Sequence, residues 1–281
     1  MPPPERNTAA RRGFPGRVLI VAGSDSGGGA GIQADIKAVT ALRGYAATAI
    51  TALTAQDTTG VHGVFAIPPA FIQDQMRVVL GDIGADCIKT GMLHSAEVIE
   101  AVCEVVEAEV AGLPVVVDPV MMAKGGAALL EADAVATLKR RIVPLATVLT
   151  PNIPEAEALT GLAIADTDDM ETAGLRLLDL GARAAFVKGG HMPGEMVHDV
   201  LVSAEGSEVF IAPRTETAHT HGTGCTLASA IAAGIAQGMS LREAVGRAQA
   251  YVHEAIRQAP GLGAGHGPIG HAHTVGKFGV D

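Results

Sequence analysis

Short apolar runs rich in β-branched residues alternate along this chain with longer amphipathic stretches. The runs are RVLIVAG (17–23), AATAITALTA (46–55), DCIKTG (86–91), PVVVDPV (114–120), TVLTPN (147–152) and AAFVKGG (184–190). Strands separated by crossover helices give this pattern, so the central sheet is expected to be mostly parallel. The intervening stretches GIQADIKAVTALRG, PAFIQDQMRVVLGD and SAEVIEAVCEVVEAEV carry apolar residues at helical spacing. Near the end, MVHDVLVSAEGSEVFIAP reads as two strands turning around Glu205-Gly206, an antiparallel hairpin that ends the sheet. Helices over about 224–237 and 240–259 follow. No repeat or linker divides the chain. The expectation is an α/β fold, with one domain over 17–281 built as a three-layer α/β/α sandwich. Ligands then belong beyond the C-terminal ends of the strands. The opening MPPPERNTAARRGFPG has prolines and charges but no apolar segment. Residues 1–16 therefore read as a disordered tail and not as a signal peptide.

Composition narrows the function. A hydrophobic content of 48% over 281 residues is enough for a sizeable core. The formal net charge of −10 gives no electrostatic support to nucleic-acid or membrane-surface binding. Any anion must be met by local cations and backbone N–H groups. Aromatic residues make up only 3% and Trp is absent, which argues against base-stacking platforms. The three cysteines, Cys87, Cys103 and Cys225, are odd in number and lack CxxC spacing. They fit a cytoplasmic, reducing setting better than a disulfide framework or a zinc site.

Several motifs fall where strands should end. VAGSDSGGGAGIQAD (21–35) is a strand, a glycine-rich turn and a helix start. Gly29 to Ala34 matches the dinucleotide fingerprint, but the preceding loop is long and no acidic residue closes the second strand, Asp57 falling past its end. The alternative is a loop whose glycines let backbone approach a flat substrate. Asp35, one turn into the helix, either points to that mouth or is a first-turn acid favoured by the helix dipole. Gln56 follows a buried strand, and an amide offers both donor and acceptor to a heteroaromatic edge. Asp118 ends a third strand. Asn152 and Glu155 stand at a strand-to-helix junction, either as an N-cap and its partner or as oxygen ligands for a hydrated Mg²⁺. Lys188 ends another apolar strand and can neutralise a phosphate.

GTGCTLASAIAAG (222–234) is the sharpest motif. A glycine turn entering a small-residue helix leaves N–H groups from Gly222, Thr223, Gly224 and Cys225 to face an anion. Cys225 at that position is expected to have a lowered pKa. His219 and His221 have no metal spacing beyond them, and the His-rich GHGPIGHAHT (265–274) reads as a C-terminal loop.

In this order, AGSDSGGGAGIQAD, TALTAQDTTGV, IKTGML, DPVMMAKGG, LTPNIPEAEALTG, VKGGH and THGTGCTLASAIAAG resemble the hydroxymethylpyrimidine/phosphomethylpyrimidine kinases of thiamine biosynthesis. Those enzymes belong to the ribokinase-like superfamily. The resemblance spans about residues 17–274 and implies two successive transfers from Mg-ATP, to a pyrimidine alcohol and then to its monophosphate. It makes Gln56 the reader of the ring, with Gly23, Ala30, Asp35, Thr54, Met92 and Val120 around it. It gives Lys188 to phosphate, and Asp118, Asn152 and Glu155 to Mg²⁺ and ATP. It makes Gly222–Cys225 the anion hole, with Cys225 where most of the superfamily carries an aspartate base, and it implies a homodimer. Ser26-Gly27 replaces the usual Pro-Ser pair, which predicts a looser first loop, and KGGAALL departs from the common Lys-Ser-Gly-Asp pattern. Rival readings are a pyridoxal or pyridoxine kinase and a non-catalytic pyrimidine-binding protein.

Overall fold

The computed structural model describes residues 16–276 apart from Lys124, Gly125, Ala127 and Ala132; the expected tail lies outside them except for Gly16. Nine strands form one sheet: β1 (Arg17–Asp25), β2 (Tyr45–Gln56), β3 (Val61–Ala66), β4 (Cys87–Thr90), β5 (Val115–Val117), β6 (Val148–Leu149), β7 (Ala184–Val187), β8 (Met196–Ser203) and β9 (Gly206–Pro213). Their order is β3-β2-β1-β4-β5-β6-β7-β8-β9. The six from β2 to β7 in that order run parallel, while β3 and the β8–β9 pair are antiparallel. The hairpin is where the sequence predicts it. The antiparallel edge at β3 was not expected, because its segment VHGVFA is mostly exposed and interrupted by His62 and Gly63.

The alternation of side chains explains why the central runs are apolar throughout. Leu19 and Val21 of β1 enter one core layer, and Val18, Ile20 and Ala22 enter the other. Helices α1 (Gly31–Ala41), α7 (Thr223–Ala236) and α8 (Leu241–Arg257) cover the second layer. The first is covered by α2 (Pro69–Asp82), α3 (Ala96–Glu109), α4 (Ala134–Thr137, continuing into wider and tighter turns to Leu145), α5 (Ile153–Thr160) and α6 (Thr167–Asp179). This is the expected three-layer sandwich. β5 and β6 are shorter than their apolar runs because Pro119 and Pro151, which cannot donate to a ladder, follow closely. Among the described residues no helix is long and apolar enough to cross a membrane.

Candidate active site

The chain passes from β1 to β2 on one side and returns to β4 on the other, a topological switch point at which ligands bind beyond the strand ends. A cavity of about 690 Å³ opens there, lined from β1, β2 and the turns after β4, β5, β6 and β7.

One end holds Gly23, Ala30, Thr54, Gln56, Met92 and Val120. Gly23 leaves room for Met92, since a Cβ there would come within 2.9 Å of Met92 Sδ. Thr54 Oγ1 donates to the Ser24 carbonyl at 2.8 Å and lies 3.1 Å from Gln56 Oε1. The first loop is tied, not loosened, by its departure from the usual pattern. Ser26 Oγ donates to the Gln56 carbonyl and accepts the Gln56 N–H, both at 2.8 Å.

The other end carries charge. Lys188 Nζ lies 3.0 Å from Asp118 Oδ1, which also accepts from Thr150 Oγ1 at 3.2 Å. Burial alone would lower the Lys188 ammonium; Asp118 and Glu155 more than offset it and hold the group above its ordinary range. Burial pushes Glu155 up to about 7, with Lys188 opposing and Asp118 adding to the shift. Asn152 and Glu155 form a reciprocal cap: Asn152 Oδ1 accepts the Glu155 N–H at 2.9 Å, and Glu155 Oε2 accepts the Asn152 N–H at 2.8 Å. Both also line the cavity, so the capping pair stands at the mouth where oxygen ligands were expected.

Gly222 takes φ +84° as N-cap of α7, and a Cβ there would collide with the Gly29 carbonyl. The Thr223 N–H turns back to the Thr220 carbonyl at 3.4 Å. Of the four N–H groups expected to face an anion, those of Gly222, Gly224 and Cys225 have no acceptor among the described residues. A Cβ on Gly224 would sit 3.3 Å from Lys188 Nζ and 3.7 Å from Asp118 Oδ2, so the glycine leaves a cradle facing those charges. Free donors, a lysine and an open cradle suit phosphate. Asp118 and Glu155 are hard oxygen donors suited to Mg²⁺. No cluster of three His, Cys, Asp or Glu side chains able to hold a metal occurs among the described residues. The fit is therefore to an ion held also by phosphates and water.

Two expectations need correction. Cys225 is not acidified: burial pushes its thiol up to about 12, a shift that Lys89 opposes and Asp35 and Asp118 add to. The helix N-terminus does not overcome that loss of hydration. Asp35 does not reach the cavity wall. It is fully buried, with both carboxylate oxygens 2.9 Å from Lys89 Nζ and one accepting from Ser229 Oγ at 2.7 Å. Burial pushes this carboxyl up and Lys89 pulls it down, in the geometry of an ion pair.

Other lining groups had no reading in the sequence beyond the weighing of His221 as a metal ligand without the spacing for one. Asp25 and His221 pair at 2.9 Å beside Gln56. Val197, Ala212, Val252 and Ile256 form an apolar pocket between β8–β9 and α8. Two sides of the hairpin and a distant helix converge there, which a linear pattern does not signal.

The model of the family described as phosphomethylpyrimidine kinase matches residues 25–270. The chain is 54% identical to the thiamine biosynthesis bifunctional protein ThiED of Geobacter sulfurreducens over 93% of its own length, spanning 53% of that relative. It is 46% identical to the hydroxymethylpyrimidine/phosphomethylpyrimidine kinase of Streptomyces coelicolor, covering 94% of this chain and 97% of that one. The solved pyridoxal kinase of Staphylococcus aureus in complex with AMP-PCP and pyridoxal superposes with a TM-score of 0.85 at 35% identity, over 92% and 94% of the two chains. The switch-point cavity, the glycine turn opening α7 and the matched span agree: this chain belongs to the phosphomethylpyrimidine kinase family.

Proposed function

We propose that this chain transfers the γ-phosphoryl group of ATP to the hydroxymethyl oxygen of 4-amino-5-hydroxymethyl-2-methylpyrimidine and then a second one to the monophosphate. The observation that carries this reading is one cavity with an amide-bearing ring end and a cationic, N–H-lined end. Identity of 46–54% to relatives named for thiamine or hydroxymethylpyrimidine, against 35% to the pyridoxal kinase, supports the pyrimidine over pyridoxine.

Gln56 reads the ring, walled by Gly23, Ala30, Thr54, Met92 and Val120. Lys188 exchanges its Asp118 partner for phosphate. The N–H groups of Gly222, Gly224 and Cys225 hold the transferred group, so catalysis rests on positioning and charge stabilisation. Asp118 and Glu155, with Asn152 fixing the latter, would hold Mg²⁺ through water and phosphate. Bound there, Mg²⁺ neutralises phosphate charge. The apolar pocket of Val197, Ala212, Val252 and Ile256 takes the nucleotide base. Cys225 is placed to accept the alcohol proton in the first transfer. It must first lose its own proton to solvent, with Lys89 and the Gly31 N–H favouring the thiolate against burial. The second transfer needs no such acceptor, because the phosphate is already ionised.

We also propose a cytoplasmic homodimer. The exposed, cross-paired Leu53 and Phe65 on the β2–β3 edge support association, and three free cysteines support a reducing compartment; light scattering reads the mass in solution. The deciding experiment measures ADP formation with hydroxymethylpyrimidine, its monophosphate and pyridoxine side by side. Turnover of the first two ahead of pyridoxine is expected. Absence of ADP with hydroxymethylpyrimidine overturns the reading.

A further inference from the structure

Asp25, His221 and Gln56 form one network at the ring end of the cavity. Asp25 Oδ1 accepts the Gly27 N–H at 2.8 Å, and Oδ2 accepts those of Gly29 and Ala30 at 3.1 and 2.8 Å. Oδ2 also lies 2.9 Å from His221 Nε2. Burial pushes the Asp25 carboxyl up, but His221 and these backbone groups outweigh it and leave the carboxyl below its ordinary range. An ionised carboxylate only accepts, so His221 Nε2 carries a proton. The backbone of His221 is held by its amide N–H, which donates to the Gly267 carbonyl at 3.1 Å.

This fixes the Gln56 amide. As oriented, Gln56 Nε2 lies 3.3 Å from His221 Nε2, which sets donor against donor. Turned by 180°, the amide points its oxygen at His221 and its nitrogen at Thr54 Oγ1, whose own proton goes to the Ser24 carbonyl. The single proton on His221 Nε2 is then shared in a three-centre bond between Asp25 Oδ2 and the amide oxygen, and the amide keeps one N–H and one oxygen lone pair for a ligand.

We infer that Asp25 and His221 are positioning residues acting through Gln56, holding its amide so that a donor and an acceptor together face the ring. An aminopyrimidine, with a ring nitrogen beside its amino group, matches that pair. Pyridoxine, whose ring nitrogen and hydroxyl do not sit on adjacent positions, does not. The inference rests on the function proposed above.

His221→Phe keeps a ring in place and removes the Nε2 donor. KM for hydroxymethylpyrimidine should rise about 10- to 100-fold, with kcat and the KM for ATP changed by less than about threefold. Pyridoxine kcat/KM should change by less than about threefold, so the specificity ratio collapses. His221→Gln, which restores a donor, should recover part of the loss. Adding His221→Phe to Gln56→Ala should cost nothing further, because the two act as one unit. An unchanged KM for the pyrimidine, or losses that add in the double variant, overturns the inference. If the Phe variant does not fold, His221→Gln against Gln56→Ala in the same cycle decides. Calorimetric binding of hydroxymethylpyrimidine to these variants tests the amide's orientation even if the wild type consumes no ATP with it, an outcome that would overturn only the functional reading.

Discussion

Lys89 at the end of β4 and Lys188 just after β7 make a natural pair for comparison. Each faces an aspartate, and each has a glycine against its ammonium: Gly91, where a Cβ would lie 3.1 Å from Lys89 Nζ, and Gly224, where it would lie 3.3 Å from Lys188 Nζ. Lys89 is sealed, with both Asp35 oxygens at 2.9 Å and Ser229 completing the carboxylate's shell. Lys188 meets one Asp118 oxygen at 3.0 Å, and its side chain is 13% exposed to the cavity. The same charge pair is structural when enclosed and exchangeable when one side is open, because only the open pair can trade its partner for a ligand without leaving a charge buried.

The comparison can be broken in order of effect. Lys89→Met strands the Asp35 charge and should cost about 3–5 kcal/mol of stability in denaturant melts. Adding Asp35→Leu should recover most of that loss; if it does not, the sealed pair has more than a structural role. Lys188→Met should lower kcat/KM by about 10²–10³-fold while shifting the melting midpoint less than half as far as Lys89→Met. Cys225 lies in the field of both pairs. Cys225→Ala should slow the first transfer by about 10²-fold and the second by less than about tenfold; equal losses would assign the thiol to shaping the anion hole alone. The smallest contrast is between the glycines. Gly91→Ala overpacks and should cost about 1–3 kcal/mol of stability. Gly224→Ala should leave the melt in place and raise KM for ATP by about tenfold.

The two lysines also show what a linear sequence can reveal. Lys188 stands out because VKGGH places it where an apolar strand opens into glycines. Lys89 sits inside DCIKTG; its partner Asp35 lies 54 positions away, and Ser229, which donates to Asp35, lies 140 positions away, beyond any local pattern. The layers and the parallel strands were legible because burial on both faces imposes continuous apolar runs, and the hairpin because a Glu-Gly turn divides two strand-like runs. β3 was not, because an edge strand with exposed residues carries little hydrophobic signal. Asn152 and Glu155 were readable as both cap and mouth residues, and the fold keeps both. The thiol of Cys225 was misjudged because its burial, and the charges of Lys89, Asp35 and Asp118 around it, come from segments far apart in the chain. His221 gave no usable signal, since its meaning comes from Asp25, 196 residues earlier.

The contact of Gly222 with the Gly29 carbonyl leaves no room even for a methyl group. It joins the loop that supports Gln56 to the turn that opens α7, so the span between Gln56 and the free N–H groups of that turn is set by backbone contact, not by a flexible side-chain reach. The cavity therefore acts as a ruler. On the two-step reading, the alcohol and the longer monophosphate cannot both place their attacking oxygen at the same mark. On that reading, a row of three free N–H groups, instead of one, would let a ruler of fixed length serve both.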